Sequence, residues 1–355
     1  MKPAPPFALQ YSPNLPELLN QLNCTLAIST YQAGKVVFIS PKDENSLIQL
    51  PRTFKKAMGM TVENGKMAVA TQDEVIVLVN SPQLADHYPA KKNTYDALFM
   101  PRATYYTGEI DIHDLDWGKN GDLFAVNTSF SCLIKIDDNF SFTPVWKPPF
   151  IDRLVSEDRC HLNGMAMEDG TPKYVTAFND GNTRQSWREV VTTGGVLMDV
   201  ESNEFVARDL PMPHSPRIFD NELYVLFSAT GQLARIDKTT GKQDIVCQLD
   251  GFVRGLARHG DYAFIGLSKL RKNSSTFAKL DIAKKADHSG IMVIHLPTGA
   301  KIGFIKYLSS VEEIYDVQVI PNNVRPGILN TMKPEFRLGL STPESTYWAQ
   351  PKQQP

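Results

Sequence analysis

One unit of chain recurs through this sequence, and that recurrence restricts the fold more than any single motif does. The unit begins with a lead-in segment rich in His, Arg or Asp. It passes a tight turn into a strand ending in small polar residues, then continues through a loop into a strand of the form LxxID. The run HDLDW, GKNGD, LFAVNT, SFSC, LIKIDD shows it most clearly, and HSPRI, FDNE, LYVLFS, ATGQ, LARIDK repeats it. Looser copies are AMGMTV, ENGK, MAVAT, QDE, VIVLVN; then HLNGMAM, EDGTP, KYVTAFN; then FVRGLA, RHGD, YAFIGLS. A sixth lead-in, IYDVQVI, lacks the later strands of its unit. CTLAISTYQAGKVVFISPKDENSLIQL, near the start, offers strands without a lead-in.

Four successive lead-ins, marked by His113, His161, His214 and Arg254, lie roughly 40–50 residues apart, the period of four-stranded propeller blades. The expected fold is therefore all-β: a six-bladed β-propeller closed by N-terminal strands that complete the sheet begun by the sixth lead-in. Closure removes the exposed edges an open β array would leave. Asn-Gly and Asp-Gly pairs are turn chemistry between strands and carry no functional weight. PNLPELLNQL reads as a short N-terminal helix with Asn14 as its cap. Residues 1–330 form one propeller domain in this reading, and the Pro- and Gln-rich stretch 331–355 is a loosely attached tail.

Composition sets the outer bounds. The chain has 355 residues, 42% hydrophobic and 21% charged, with a formal net charge of −2. That is globular composition with no footprint for nucleic acid or an anionic membrane surface. No apolar run is long enough to span a bilayer, and the proline-bearing N-terminus does not read as a secretory signal. The four cysteines form no CxxC pair, which suits free thiols in a reducing, cytoplasmic setting. Cys160, beside His161, is a weak candidate for a reactive thiol. Phosphate-binding loops and the HExxH and GxSxG motifs are missing.

In a propeller the first strand of each blade lines the central channel, so lead-in residues from distant parts of the chain converge. They bring together His113 and Asp114, His161 and Asn163, His214 and Arg217, Arg254, and Tyr315 with Asp316. Three histidines at what read as equivalent places suggest acid/base groups, with Asp114 beside them. They also suggest ligands of a divalent metal ion, the one cofactor these residues point to. Set against both readings, a lead-in histidine in a propeller can simply hydrogen-bond the neighbouring blade. Arg217 and Arg254 suit a substrate carboxylate or phosphate. Two loops joining second and third strands, 179–195 and 268–290, are long and polar, as binding loops or lids often are. They could carry Arg184, Trp187, Arg188, Lys269 and Arg271 over the channel mouth. The corresponding STYQAGK loop would place Tyr31 and Gln32 at the same rim.

The motifs STYQAGK, AMGM, HDLDW, CHLNGMA, MPHSPR and GFVRGLA together resemble a family of bacterial propellers known as conserved hypothetical proteins, across roughly residues 10–330. The resemblance implies a cytoplasmic protein and brings no reaction with it. More distantly the architecture is similar to gluconolactonase-like and strictosidine-synthase-like propellers. The gluconolactonase group holds a channel metal largely through carboxylate and amide oxygens, a donor set from which these histidines and arginines depart. The residues thus favour an enzyme of hydrolase, lyase or isomerase type acting on a small polar or anionic metabolite at the channel mouth. Substrate contacts are expected from Tyr31, Gln32, Asn163, Arg217, Arg254, Asp316 and Trp187. The alternative is a propeller that binds a ligand or peptide without turning it over.

Overall fold

Alternating short strands and tight turns produce six antiparallel sheets, each wound outward from a central axis. The computed structural model describes residues 4–270, 277 and 280–350. The second blade runs from the axis through Ile112–Trp117, Leu123–Asn127, Cys132–Ile136 and Thr143–Trp146. The third follows with Leu162–Glu168, Thr171–Ala177, Gly195–Asp199 and Phe205–Leu210, and the fourth with Pro213–Phe219, Glu222–Phe227, Gln232–Ile236 and Gln243–Gln248. Blades one and five start at Met60–Glu63 and Phe252–His259. The sixth begins with Asp316–Pro321 and is completed by Cys24–Thr30, Lys35–Asp43 and Ser46–Thr53, so N-terminal strands do close the ring.

Both ends of the closing blade are clasped. Leu9–Tyr11 adds an outer strand to blade five, and Pro326–Ile328 adds a parallel outer strand to blade one. The apolar residues of each sheet pack against the next blade, so the core is a set of interfaces rather than one central mass. Val126 and Leu133 of blade two meet Leu162, Val175 and Met198 of blade three. Tyr174 and Leu197 of blade three meet Val225 and Phe227 of blade four. Burying each such side chain contributes roughly 1.5–3 kcal/mol, so the interfaces carry the fold.

The helix forms at Leu15–Gln21 and buries Leu15 and Leu19. Asn14 takes the cap position, but its side chain does not cap; its Nδ2 donates to the Ile302 carbonyl at 3.2 Å. The stretch after residue 330 is not loose as far as it is described. A hairpin, Gly339–Ser341 with Thr346–Trp348, docks on blade one, where Trp348 Nε1 donates to the Leu84 carbonyl at 3.0 Å and its ring meets Tyr88. A tryptophan gains too much from burial to be left in solvent. Among the described residues no helix is long and apolar enough to cross a membrane.

Candidate functional site

A hydroxyl at the end of the second strand pins most blades to the next one. Thr128 and Ser228 donate to the carbonyls of Leu162 and Val253, each at 2.6 Å. Ser268 and Ser29 make the same bond to Ile314 and Met58. The residues following these carbonyls are Asn163, Arg254, Tyr315 and Gly59, and His113 and His214 hold the same place in blades two and four, so the six form a ring around the axis. Gly59 keeps the ring tight, because a Cβ there would lie 2.9 Å from Asp114 Cα and the His113 carbonyl. Across that gap His113 and Tyr315 rest 5.4 Å apart, centroid to centroid.

The ring corrects the sequence reading at one residue. Ile112, Leu162 and Pro213 pair with Asn127, Ala177 and Phe227, the last residues before Thr128, Phe178 and Ser228. His113 and His214 are therefore equivalent, and their counterpart in blade three is Asn163, not His161. His161 stands two residues earlier, level with Asp111 and Met212. All three have left-handed backbones, with φ of 51°, 56° and 56° for His161, Asp111 and Met212. Few non-glycine residues adopt this conformation. Here it turns all three side chains into one cavity of about 730 Å³ at the channel mouth.

Tautomers follow from the bonds. The single proton of Thr128 Oγ1 goes to the Leu162 carbonyl, so His113 Nδ1, at 2.7 Å, must donate to that hydroxyl. The Asp111 carbonyl, 3.2 Å from the same nitrogen, demands a donor as well. By the same logic His214 Nδ1 donates to Ser228 Oγ at 2.6 Å. Both rings thus carry a bare Nε2. Burial pushes their pKa values well below the usual 6.5, and the nearby Arg254 adds to the effect. They are neutral acceptors.

His161 is held differently. Phe178 replaces the strand-end hydroxyl in its blade, and Nδ1 instead faces both carboxylate oxygens of Asp158 at 3.1 Å. Trp187 Nε1 donates to the same carboxylate at 3.0 Å and its ring packs on His161 at 4.4 Å. A carboxylate acceptor again puts the proton on Nδ1 and leaves Nε2 bare. Asp158 is anchored in turn by its neighbour Arg159, which is buried and bonds Asp152, Glu157 and Asn182.

On the far side, the Arg254 guanidinium lies 3.3 Å over the Tyr315 ring, with Glu313 at 3.8 Å from Nη1. Its Nη2 and the Tyr315 hydroxyl are buried without a well-formed hydrogen bond. Burial raises the Tyr315 phenol well above its usual pKa, so it stays protonated even though Arg254 opposes the shift.

Of the residues expected at the site, His113, His161, His214, Arg254, Tyr31, Gln32 and Trp187 line the cavity, with Arg188 and Lys269. Asp114, Asn163, Arg217 and Asp316 do not: Asn163 accepts the Thr176 hydroxyl of its own blade at 2.7 Å, and Asp114, Arg217 and Asp316 lie farther along the first strands. Asp114 accepts the Met165 amide of blade three and both Nη atoms of Arg217, at 2.7 and 3.0 Å. Asp316 accepts the Met60 amide of blade one, and burial raises its pKa to about 6. These groups lock blades together. Arg184 does not line the cavity, and Arg271 lies outside the described residues. Cys160 is fully buried and its pKa is pushed up to about 12, so it is an inert thiol.

The metal reading of the three histidines finds no support here. Among the described residues no group of three His, Cys, Asp or Glu side chains is placed to hold an ion. Phe178 packs against both His161 and His214, with ring centroids at 4.6 and 5.0 Å. Sequence reasoning missed Asp111, Asp158, Phe178 and Glu313. Only Asp158 left a trace, three residues before His161 in DRCH.

The chain belongs to the family described as "Domain of unknown function (DUF4915)", whose profile matches residues 13–329. No curated protein matches it in sequence. Among solved structures it is similar to a chain of a nidogen/laminin complex, with a TM-score of 0.48 and 8% identity over 84% of this chain and 99% of that one. It is also similar to a catalytically inactive virginiamycin B lyase from Staphylococcus aureus crystallised with quinupristin, with a TM-score of 0.42 and 12% identity over 84% and 99% of the two chains.

Proposed function

We propose that this propeller is an enzyme that moves a proton on a small polar or anionic metabolite bound at the channel mouth, with His161 as the acid/base group. The observation that carries the reading is the His161–Asp158 pair facing the cavity. Asp158 fixes the Nδ1–H tautomer, so Nε2 is free to accept a proton from the ligand or a water. The carboxylate then offsets the charge of the imidazolium that forms. His113 and His214 are poor proton acceptors, because burial holds them neutral and the scaffold engages their Nδ1 protons. Their bare Nε2 atoms serve as hydrogen-bond acceptors that orient the ligand. Arg254 supplies the anchor for its negative group. Hydrolysis, elimination and isomerisation all need such a proton transfer. The four free, buried cysteines suit a cytoplasmic protein.

The test is a turnover screen of the purified protein against a panel of small hydroxy acids, lactones and unsaturated acids, read by mass spectrometry. His161→Gln should cut turnover of any hit by roughly 10²–10⁴-fold, the usual worth of a general base, while leaving the melting temperature nearly unchanged. Compounds that bind but are never transformed would make this a binding module instead.

A further inference from the structure

Three features of the cavity restrict what fits it. The first is Arg254. Its guanidinium is fixed flat on Tyr315, its side chain is only 12% exposed, and Glu313 approaches Nη1 at a loose 3.8 Å. Nη2 is buried without a well-formed hydrogen bond. An orphaned donor of this kind is costly until a ligand satisfies it, and a planar fork matches a carboxylate.

The second is the acceptor set. His113, His161 and His214 all carry their proton on Nδ1 and show bare Nε2 atoms, and none of the three can pair with an anion's oxygen while neutral. They call for ligand hydroxyl, amide or amino hydrogens. Asp111, Asp158 and Glu313 share the cavity with Arg254, Arg188 and Lys269, a balanced charge that suits a monoanion better than a dianionic phosphate. The third is the wall. Tyr31 stacks on Tyr315, Trp187 meets Phe178, and Phe252 faces His214 at 6.0 Å. These aromatic faces favour a ring over a flexible chain.

We infer that the ligand is a ring-bearing monocarboxylate that also carries hydroxyl or amino hydrogens, with its carboxylate on Arg254 and its donors on the histidine Nε2 atoms. The inference rests on the reading of this cavity as the site, and gives the substrate class of that reading.

Isothermal titration tests it with hydroxylated ring acids (4-hydroxyphenylacetate, 4-hydroxybenzoate, shikimate, glucuronate), each beside its primary amide. At least one acid should bind with a Kd below about 1 mM and about 10–100-fold tighter than its amide, the worth of a hydrogen bond to a charged group. That preference should vanish in Arg254→Gln and shrink in Arg254→Lys, which keeps the charge but loses the fork. Circular dichroism checks folding, and the lysine variant alone suffices if the glutamine variant does not fold. The inference is overturned if no acid binds, if amides bind as well as acids, or if the preference survives both substitutions. Binding is read without turnover. An acid that binds through Arg254 yet is never transformed would therefore sink the enzymatic reading and leave this one standing.

Discussion

Blades three and four are copies of one unit that use their histidines in opposite ways. In blade four, His214 gives its Nδ1 proton to Ser228, which passes its own to the Val253 carbonyl of blade five. The imidazole is part of the scaffold on one edge and faces the cavity on the other. In blade three, Phe178 stands where Ser228 does, no such relay exists, and the histidine sits two residues earlier with a carboxylate as partner. With a ring in place of the strand-end hydroxyl, the structural histidine's position holds Asn163 and a separate histidine two residues earlier faces the cavity. Blade two follows blade four, through His113 and Thr128.

The largest effect that tests this contrast lies in how blade four holds its neighbours. Arg217 reaches past blade three, where it donates to the Met165 carbonyl at 2.9 Å, to the Asp114 carboxylate of blade two. Arg217→Met leaves that carboxylate buried and unpaired. It should lower stability by about 3–5 kcal/mol in urea melts. A loss below about 1 kcal/mol would mean that the pair is not what locks these blades.

Acid should separate the two kinds of histidine next. His113 and His214 have folded pKa values well below 6.5. The unfolded chain takes up protons below 6.5 that the folded chain refuses. The stability they contribute is present above 6.5 and is lost as pH falls, by about 1.4 kcal/mol per pH unit for each. Asp316, raised to about 6 from 3.8, works in the other direction. Its contribution is present at acid pH and lost as pH rises through 6, so below 6 it offsets one of the two histidines. His214→Gln should therefore flatten the fall in stability between pH 6.5 and 5. An unchanged slope would place the acid sensitivity elsewhere.

The smallest effect concerns the relay itself. Ser228→Ala strands the His214 Nδ1 proton and the Val253 carbonyl, which should cost about 1–3 kcal/mol. The residue in the same place in blade three, Phe178, carries no such relay. Ser228→Ala in differential scanning calorimetry should therefore lower the melting temperature. An unchanged melting temperature would mean that the relay is not structural.

Much of this was legible in the chain before folding. The repeated units set the number of blades, the split sixth unit announced the closure, and the lead-ins named His113, His161, His214 and Arg254 as residues facing one axis. Loops rich in polar residues carry Trp187, Arg188 and Lys269 to the cavity. Illegible were the partners. Asp114, Arg217 and Asp316 share the lead-ins with the cavity residues and carry charges that suggest chemistry, yet they hold blades together. Phe178 looked like one more core aromatic at the end of a strand.

The sequence by itself determined the architecture, because a propeller needs only a repeated alternation of apolar and polar residues with turns at regular places. Which histidine could do chemistry was decided only by the tertiary structure. The left-handed backbone at residue 161 turns in a side chain two residues before the ring position, and the hydroxyls at 128 and 228 and the ring at 178 decide each histidine's partner through contacts between blades that no local pattern records.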